Sequence, residues 1–300
     1  CYAAGIARRF WAVNEVVQTG EIVRCYDQDV RCVRPRWFGD VVCHERRLGQ
    51  PLRWRRPRRV FVCSMGDLFH EAVPSCFLDR VFAMMAVCER HWFLVLTKRA
   101  RRMHEYLHDP GTWERVCGYE VPAWPLPNVA LGVTVETQAR AEERIPWLLR
   151  TPAALRFVSV EPMLGTVKVG RWLPGTSAPA LDWVIAGGET GPGARPVHPR
   201  WVRGLRDQCE AGGVPFYFKQ WGEWRPWWGS EDDGCPCGRE HGEATFCGRA
   251  HFWGFSGTGG PRGYEPRGVV CSVRVGKRRA GHLLDGREWR QVPAVLTAEG

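Results

Sequence analysis

The sequence predicts an α/β protein. A full or partial TIM-like (β/α) barrel is expected over residues 1–220, with an irregular Trp- and Gly-rich extension over residues 221–300. Three observations predict it. Short apolar, β-branched runs recur, and the one at Leu155–Val160 is bounded by Pro152 and Pro162, as a strand buried on both faces would be. Segments of helical period separate most of these runs, and strand–crossover–strand order implies parallel pairing. The runs also close on charged residues, at the edge where parallel α/β folds hold their chemistry. An open doubly wound sheet is the other arrangement compatible with this rhythm.

In chain order, Ile6, Phe10, Val13 and Val17 recur at helical spacing until Gly20, and a helix in first place implies a further strand upstream. Residues 21–59 are poorly periodic and basic, with Arg53, Arg55, Arg56, Arg58 and Arg59 around Trp54 and Pro57. That run is either a solvated connector or a track for a phosphate backbone. The regular part begins with a strand at 60–63, after which Ser75 is placed to cap a helix burying Leu78, Val81, Phe82, Met85 and Cys88. A strand at 92–96 precedes a helix over Met103 and Leu107 and a Pro- and Trp-rich loop at 108–127. Residues 128–135 form a strand, Thr137 caps a helix running to Arg150, and the strand at 155–160 follows. The fifth strand is 181–186. Pro199 then opens a helix with Trp201, Val202, Leu205 and Cys209 on one face, ended by Gly212 and Gly213. The sixth strand is 214–218, and 269–275 with Leu283 and Leu284 form a hairpin-like tail returning to the barrel.

Composition narrows the class. Lys and Arg number 42 against 32 Asp and Glu, giving +10. That charge favours an anionic partner such as nucleic acid, or else reflects a global preference for arginine. No run of 18 apolar residues occurs, so no membrane-spanning helix is expected. No signal peptide is visible. The 13 cysteines are scattered and odd in number, and Cys63, Cys88 and Cys209 sit in apolar surroundings; free buried thiols in a reducing cytoplasm are expected.

The strand ends supply Asp67, His70, Lys98, Glu136, Glu161, Glu189 and Lys219. In a parallel sheet all of them face one mouth, where a polar binding or active site is expected. Taken singly, each has a plainer role: a helix cap, an ion pair or a solvated charge.

Six segments carry a resemblance: Phe61-Val-Cys-Ser-Met-Gly-Asp-Leu-Phe-His70, Val95-Leu-Thr-Lys-Arg99, Leu131-Gly-Val-Thr-Val-Glu136, Phe157-Val-Ser-Val-Glu-Pro162, Trp183-Val-Ile-Ala-Gly-Gly-Glu189 and Phe218-Lys-Gln-Trp-Gly222. Together they resemble the phage-type, radical-SAM-like "three-cysteine motif" family of unknown function. The likeness runs from Cys1 to about Trp224 and resumes at 273–277 and 284–289. It implies a barrel of the radical-SAM type, a [4Fe–4S] cluster and S-adenosylmethionine. It also implies a partner protein encoded nearby. Members carry Cys-x6-Cys-x2-Cys-Tyr-Ala, of which this chain has Cys1, Tyr2 and Ala3. Three thiolates would leave one iron open to the amino and carboxylate groups of S-adenosylmethionine, so a chain with only Cys1 is expected to be cluster-free. The same resemblance places Gly187, Gly188 and Glu189 near that cofactor, although this stretch lies late in the chain. Of the strand-end groups, Asp67, His70, Lys98, Glu136, Glu161 and Lys219 are the expected catalytic set.

Within the extension, Cys235, Cys237, His241 and Cys247 give Cys-x-Cys-x3-His-x5-Cys. Four soft ligands in so short a stretch could close a tetrahedral zinc site, although the spacing is not a standard one. Three functions therefore compete. They are an iron–sulphur, S-adenosylmethionine-dependent radical enzyme acting on nucleic acid or another macromolecule; a non-catalytic nucleic-acid-binding barrel; and a hydrolase using Glu136 and Glu161 as a carboxylate pair. Lys98 and Lys219 at the same mouth make the hydrolase the weakest of the three.

Overall fold

The computed structural model of the chain describes residues 41–63, 66–117, 123–227 and 271–297, with the backbone of three short strands. Two of these, Val16–Gln18 (β1) and Glu21–Val23 (β2), pair antiparallel. A strand thus stands where the opening helix is expected to reach Val17. The rest of that helix lies outside the described residues.

The six apolar runs form one parallel sheet: Arg59–Val62 (β3), Trp92–Thr97 (β4), Val129–Thr134 (β5), Leu155–Val160 (β6), Trp183–Gly187 (β7) and Phe216–Gln220 (β8). Every strand pairs with the next in chain order. The sheet curls into a half-barrel in which β3 and β8 do not meet. The barrel is therefore partial. The doubly wound alternative fails, because it needs a point where strand order reverses.

Residues alternate between the two faces of each strand. Val95, Leu131, Val133, Val158, Val184 and Phe218 belong to the large core, which also includes the apolar stripes of the helices Ser75–Val87, Ala100–His108, Gln138–Arg150 and Pro199–Ala211. The other, concave face holds a smaller cluster of Leu94, Ala130, Leu155, Phe157 and Trp183, with Trp92, Leu96, Ile185 and Tyr217 half-buried beside it. Full burial of one such aliphatic or aromatic side chain contributes about 1.5–3 kcal/mol. Gly132 is required on this face, since a Cβ there would lie 2.5 Å from the Phe157 ring.

Local chemistry sets the helix ends. Thr137 accepts a hydrogen bond from the Arg140 amide at 3.4 Å and caps the helix Gln138–Arg150. Pro199 is the first residue of its helix, preceded by His198, whose Nδ1 accepts from the Arg200 amide at 3.0 Å. Gly213, at φ +64°, lets the chain leave that helix. Ser75 is already helical, and Pro74 holds the cap position. The stretch 108–127 is more ordered than a loop: Pro110–Cys117 is a helix, with the Asp109 carboxylate accepting from the Gly111 amide at 3.2 Å. Among the thiols, Cys88 and Cys209 are buried as expected, and burial pushes Cys209 up to about 12. Cys63 is exposed, at φ +55° where β3 ends.

After β8 the chain makes Trp224–Trp227 (β9). This strand joins Ala250–Phe252 (β10) and Cys271–Arg274 (β11) in an antiparallel sheet of order β10-β11-β9. The tail then returns to the barrel, although Cys271–Arg274 pairs with β9 and β10 rather than with the segment at Leu283 and Leu284. The Phe218 amide donates to Trp289 O at 2.7 Å, and the Gln291 amide donates to Phe216 O at 3.1 Å, so the tail covers the outer edge of β8. No helix among the described residues is long and apolar enough to cross a membrane.

Replacing Gly132 by Ala should lower unfolding stability in urea by about 1–3 kcal/mol, the usual cost of overpacking. The added Phe157→Leu change should return part of that loss. A Gly132→Ala protein as stable as wild type would show that the Phe157 ring does not need this space.

Candidate functional site

The carboxyl ends of the parallel strands bring the predicted polar residues to one edge, but as separate ion pairs. Asp67, in the loop after β3, is saturated. Its Oδ1 accepts from the Phe69 amide at 3.0 Å and from Thr97 Oγ1 at 2.6 Å; its Oδ2 accepts from the Lys98 amide at 3.1 Å and Arg99 Nη1 at 3.0 Å. With four donors on its oxygens, Asp67 stitches the end of β3 to the end of β4 and has no lone pair to spare for a substrate proton. His70 makes local contacts: Nδ1 accepts from the Ala72 amide at 3.1 Å, and Nε2 stands 3.8 Å from Glu71.

Glu136 follows β5 and is only 13% exposed, between Lys98 Nζ on Oε1 and Arg144 Nη1 on Oε2 at 3.0 Å. Burial by itself would raise its carboxyl pKa, but the Lys98 ammonium, supported by Arg144, outweighs it and holds the group below the usual range. Arg144 also donates to Thr134 O at 2.7 Å. It stands in the same helical stripe as Ala141, Ile145 and Leu148, and a charge inside an apolar stripe is the signal that could have found it.

Glu161, at the end of β6, accepts from Lys219 Nζ at 3.0 Å and from Gln220 Nε2 at 3.2 Å. Lys219 lies on β8, so this pair spans the end of β7. Gly187 leaves room for the crossing, because a Cβ there would come 3.1 Å from the Glu161 carboxyl carbon. Gly188 is needed for a different close approach, since its Cβ would lie 2.0 Å from Trp221 O. Both glycines thus have packing reasons to be glycine. Glu189 is clamped by Arg195, with Nε at 2.8 Å and the backbone amide at 2.8 Å on Oε2, and Nη2 at 2.9 Å on Oε1. Burial opposes its ionisation, and the Arg195 bonds overcome that to lower its pKa.

Backbone bonds hold these ends together. The Leu164 amide donates to Glu136 O at 2.9 Å, Met163 to Gly187 O at 3.0 Å, and Gly188 to Gln220 O at 2.8 Å. Lys98 and Lys219 are each 52% exposed, so both ammoniums keep N–H groups turned to solvent while resting on a carboxylate. Below the rim, half-buried Leu96 and Ile185 line the concave face. Sequence reasoning misses Arg99, Arg144, Arg195 and Gln220, the residues that fix the predicted carboxylates in place. Cys1, Tyr2, Cys235, Cys237, His241 and Cys247 lie outside the described residues, so the cluster and zinc expectations find no placement. Among the described residues no group of three or more His, Cys, Asp or Glu is placed to hold a metal ion.

The lowered Glu136 pKa gives a signed expectation. Folded Glu136 takes up its proton at lower pH than the unfolded side chain, so its contribution is complete above about 4.5 and is lost as pH falls through the folded value. Glu136→Gln should therefore be less stable than wild type near neutrality, and the gap should narrow in acid. A gap independent of pH in urea unfolding would contradict the pairing.

Comparison with known proteins corrects one expectation. Nothing in it points to a radical-SAM-like three-cysteine family, and the resemblance stated for the six segments is withdrawn. No curated protein and no solved structure matches the chain. The family model that does match spans residues 1–293 and is described as "Protein of unknown function (DUF5131)". The chain belongs to the DUF5131 family.

Proposed function

We propose that the carboxyl edge of the half-barrel binds a small zwitterionic molecule with a flat or apolar body. The observation that supports this reading is the charge balance of the rim. Two half-exposed ammoniums, Lys98 and Lys219, each rest on a mostly buried carboxylate, Glu136 and Glu161. Such a rim offers donors to a ligand carboxylate and acceptors to a ligand ammonium at neighbouring strand ends. A polyanion would meet the carboxylates as well as the lysines, so this edge is poorly suited to a nucleic-acid backbone. A hydrolytic carboxylate pair is disfavoured too, since Glu136 is held ionised between two cations and makes a poor general acid.

S-adenosylmethionine belongs to the proposed ligand class, joining an α-amino acid head to a planar base. Lys98, Glu136, Glu161 and Lys219 would hold the head, with Leu96 and Ile185 as an apolar wall for the body. When bound, that cofactor would supply an activated group for transfer.

The test is titration calorimetry of the whole chain with S-adenosylmethionine, methionine, adenosine and ATP. S-adenosylmethionine should bind more tightly than ATP. Lys219→Ala should weaken it about tenfold to a hundredfold, the equivalent of one charge-assisted hydrogen bond of about 1.5–3 kcal/mol, while leaving the far-ultraviolet spectrum unchanged. Failure of S-adenosylmethionine and methionine to bind, or equal binding by Lys219→Ala, would remove the reading.

A further inference from the structure

The opposite, amino end of the sheet carries a different electrostatic pattern. From Arg46 to Gly66 the sequence has no acidic residue, and it includes Arg53, Arg55, Arg56, Arg58 and Arg59. All five are exposed, as is Arg90 in the loop before β4. Elsewhere many arginines sit on carboxylates, as Arg80, Arg99, Arg115, Arg144, Arg195 and Arg206 do, or on backbone carbonyls, as Arg102, Arg150 and Arg274 do. Among the described residues none of the arginines from 53 to 59 has an acidic partner. Mutual repulsion among like charges destabilises a fold, and an anionic ligand on this edge would relieve it.

The segment is held in position. The helical turn Pro51–Arg53 ends at Trp54 in extended backbone. The His91 ring, 1% exposed, has Nε2 3.1 Å from Pro51 O, and its centroid lies 5.6 Å from that of Trp54. The Arg58 guanidinium lies 4.9 Å over the Trp54 ring, and Arg58 O accepts from the Trp92 amide at 2.9 Å. The loop is thus anchored to the start of β4, and its remaining arginines project from a fixed base, which lowers the ordering cost of binding. Phe61, 46% exposed, stands two residues beyond Arg59 on the same face of β3 and offers a stacking surface.

We infer that residues 53–59, with Arg90 and Phe61 beside them, bind the backbone of a single-stranded nucleic acid. Guanidiniums with no acidic partner among the described residues, set beside the Trp54 and Phe61 rings, match alternating phosphates and bases. An anionic membrane is the less suitable counterpart. Interfacial binding uses an amphipathic helix with a continuous apolar face, whereas here the backbone beyond Arg53 is irregular and only Leu52 adds an exposed aliphatic group. This surface is independent of the rim at the other end of the sheet.

The experiment measures fluorescence anisotropy of labelled oligothymidylate and oligouridylate, about 20 nucleotides long, with the whole chain over a range of salt. Two variants remove the same charge. One is Arg53→Ser with Arg55→Ser and Arg56→Ser. The other is Arg101→Ser with Arg140→Ser and Arg171→Ser, three helix and turn arginines already paired with Glu105, Glu143 and Glu142. The first should weaken binding at least tenfold and reduce the slope of log K against log salt by about 2, since each phosphate neutralised on a single strand accounts for about 0.7 of that slope. The second should bind within about twofold of wild type. Equal weakening by both variants, no weakening by the first, or binding to phosphatidylserine vesicles without binding to either oligonucleotide would overturn the inference.

Discussion

A carboxylate taken partly out of water at a strand end must meet a cation there, because the desolvation cost amounts to several kcal/mol per ion. Asp67, Glu136, Glu161 and Glu189 are all in this position; the first three are met by a cation from another strand end, and Glu189 by Arg195 of its own loop. Arg99 reaches Asp67 from beyond the adjacent strand, Lys98 reaches Glu136 from the preceding strand end, and Lys219 reaches Glu161 from two strands away. These three pairs run across the direction of the strands. In a half-barrel whose edge strands never meet, such cross-links hold neighbouring ends at a fixed separation. The small residue at 187 fits the same arrangement, since a Cβ there would press on the Glu161 carboxylate at 3.1 Å and make it shift.

The fold is legible in the sequence where one physical effect dominates. Runs such as 129–134 and 155–160 are buried on both faces, so their composition marks them as parallel strands whatever lies around them. Thr137 and Pro199 act locally, and their roles at helix starts can be read without the rest of the chain. The helix Pro110–Cys117 is hidden because Pro, Gly and Trp there suggest a loop, although Asp109 before Pro110 is a helix-start pattern. Cys63 misleads because it ends an apolar run, and position in a run does not reveal that the backbone turns to positive φ there. The carboxylates of the rim can be found from strand ends. Their partners cannot, because which cation meets which carboxylate depends on sheet register and curl. Arg144 is the instructive exception, marked by its place among apolar neighbours. The family likeness fails for a different reason: short motifs at strand ends record the demands of a parallel sheet as much as descent.

The antiparallel ladder between Trp224–Trp227 and Cys271–Arg274 has a consequence for how the chain closes on itself. Its register places Arg225 opposite Val273 and Trp224 opposite Arg274, so the chain leaves the barrel and comes back at nearly the same point. Closing a long excursion costs little more than closing a short one, since the entropy grows only with the logarithm of length. The ends of the excursion, Trp227 and Cys271, are thus held side by side by the ladder itself, and Ala250–Phe252 from within it adds a third strand against Cys271–Arg274.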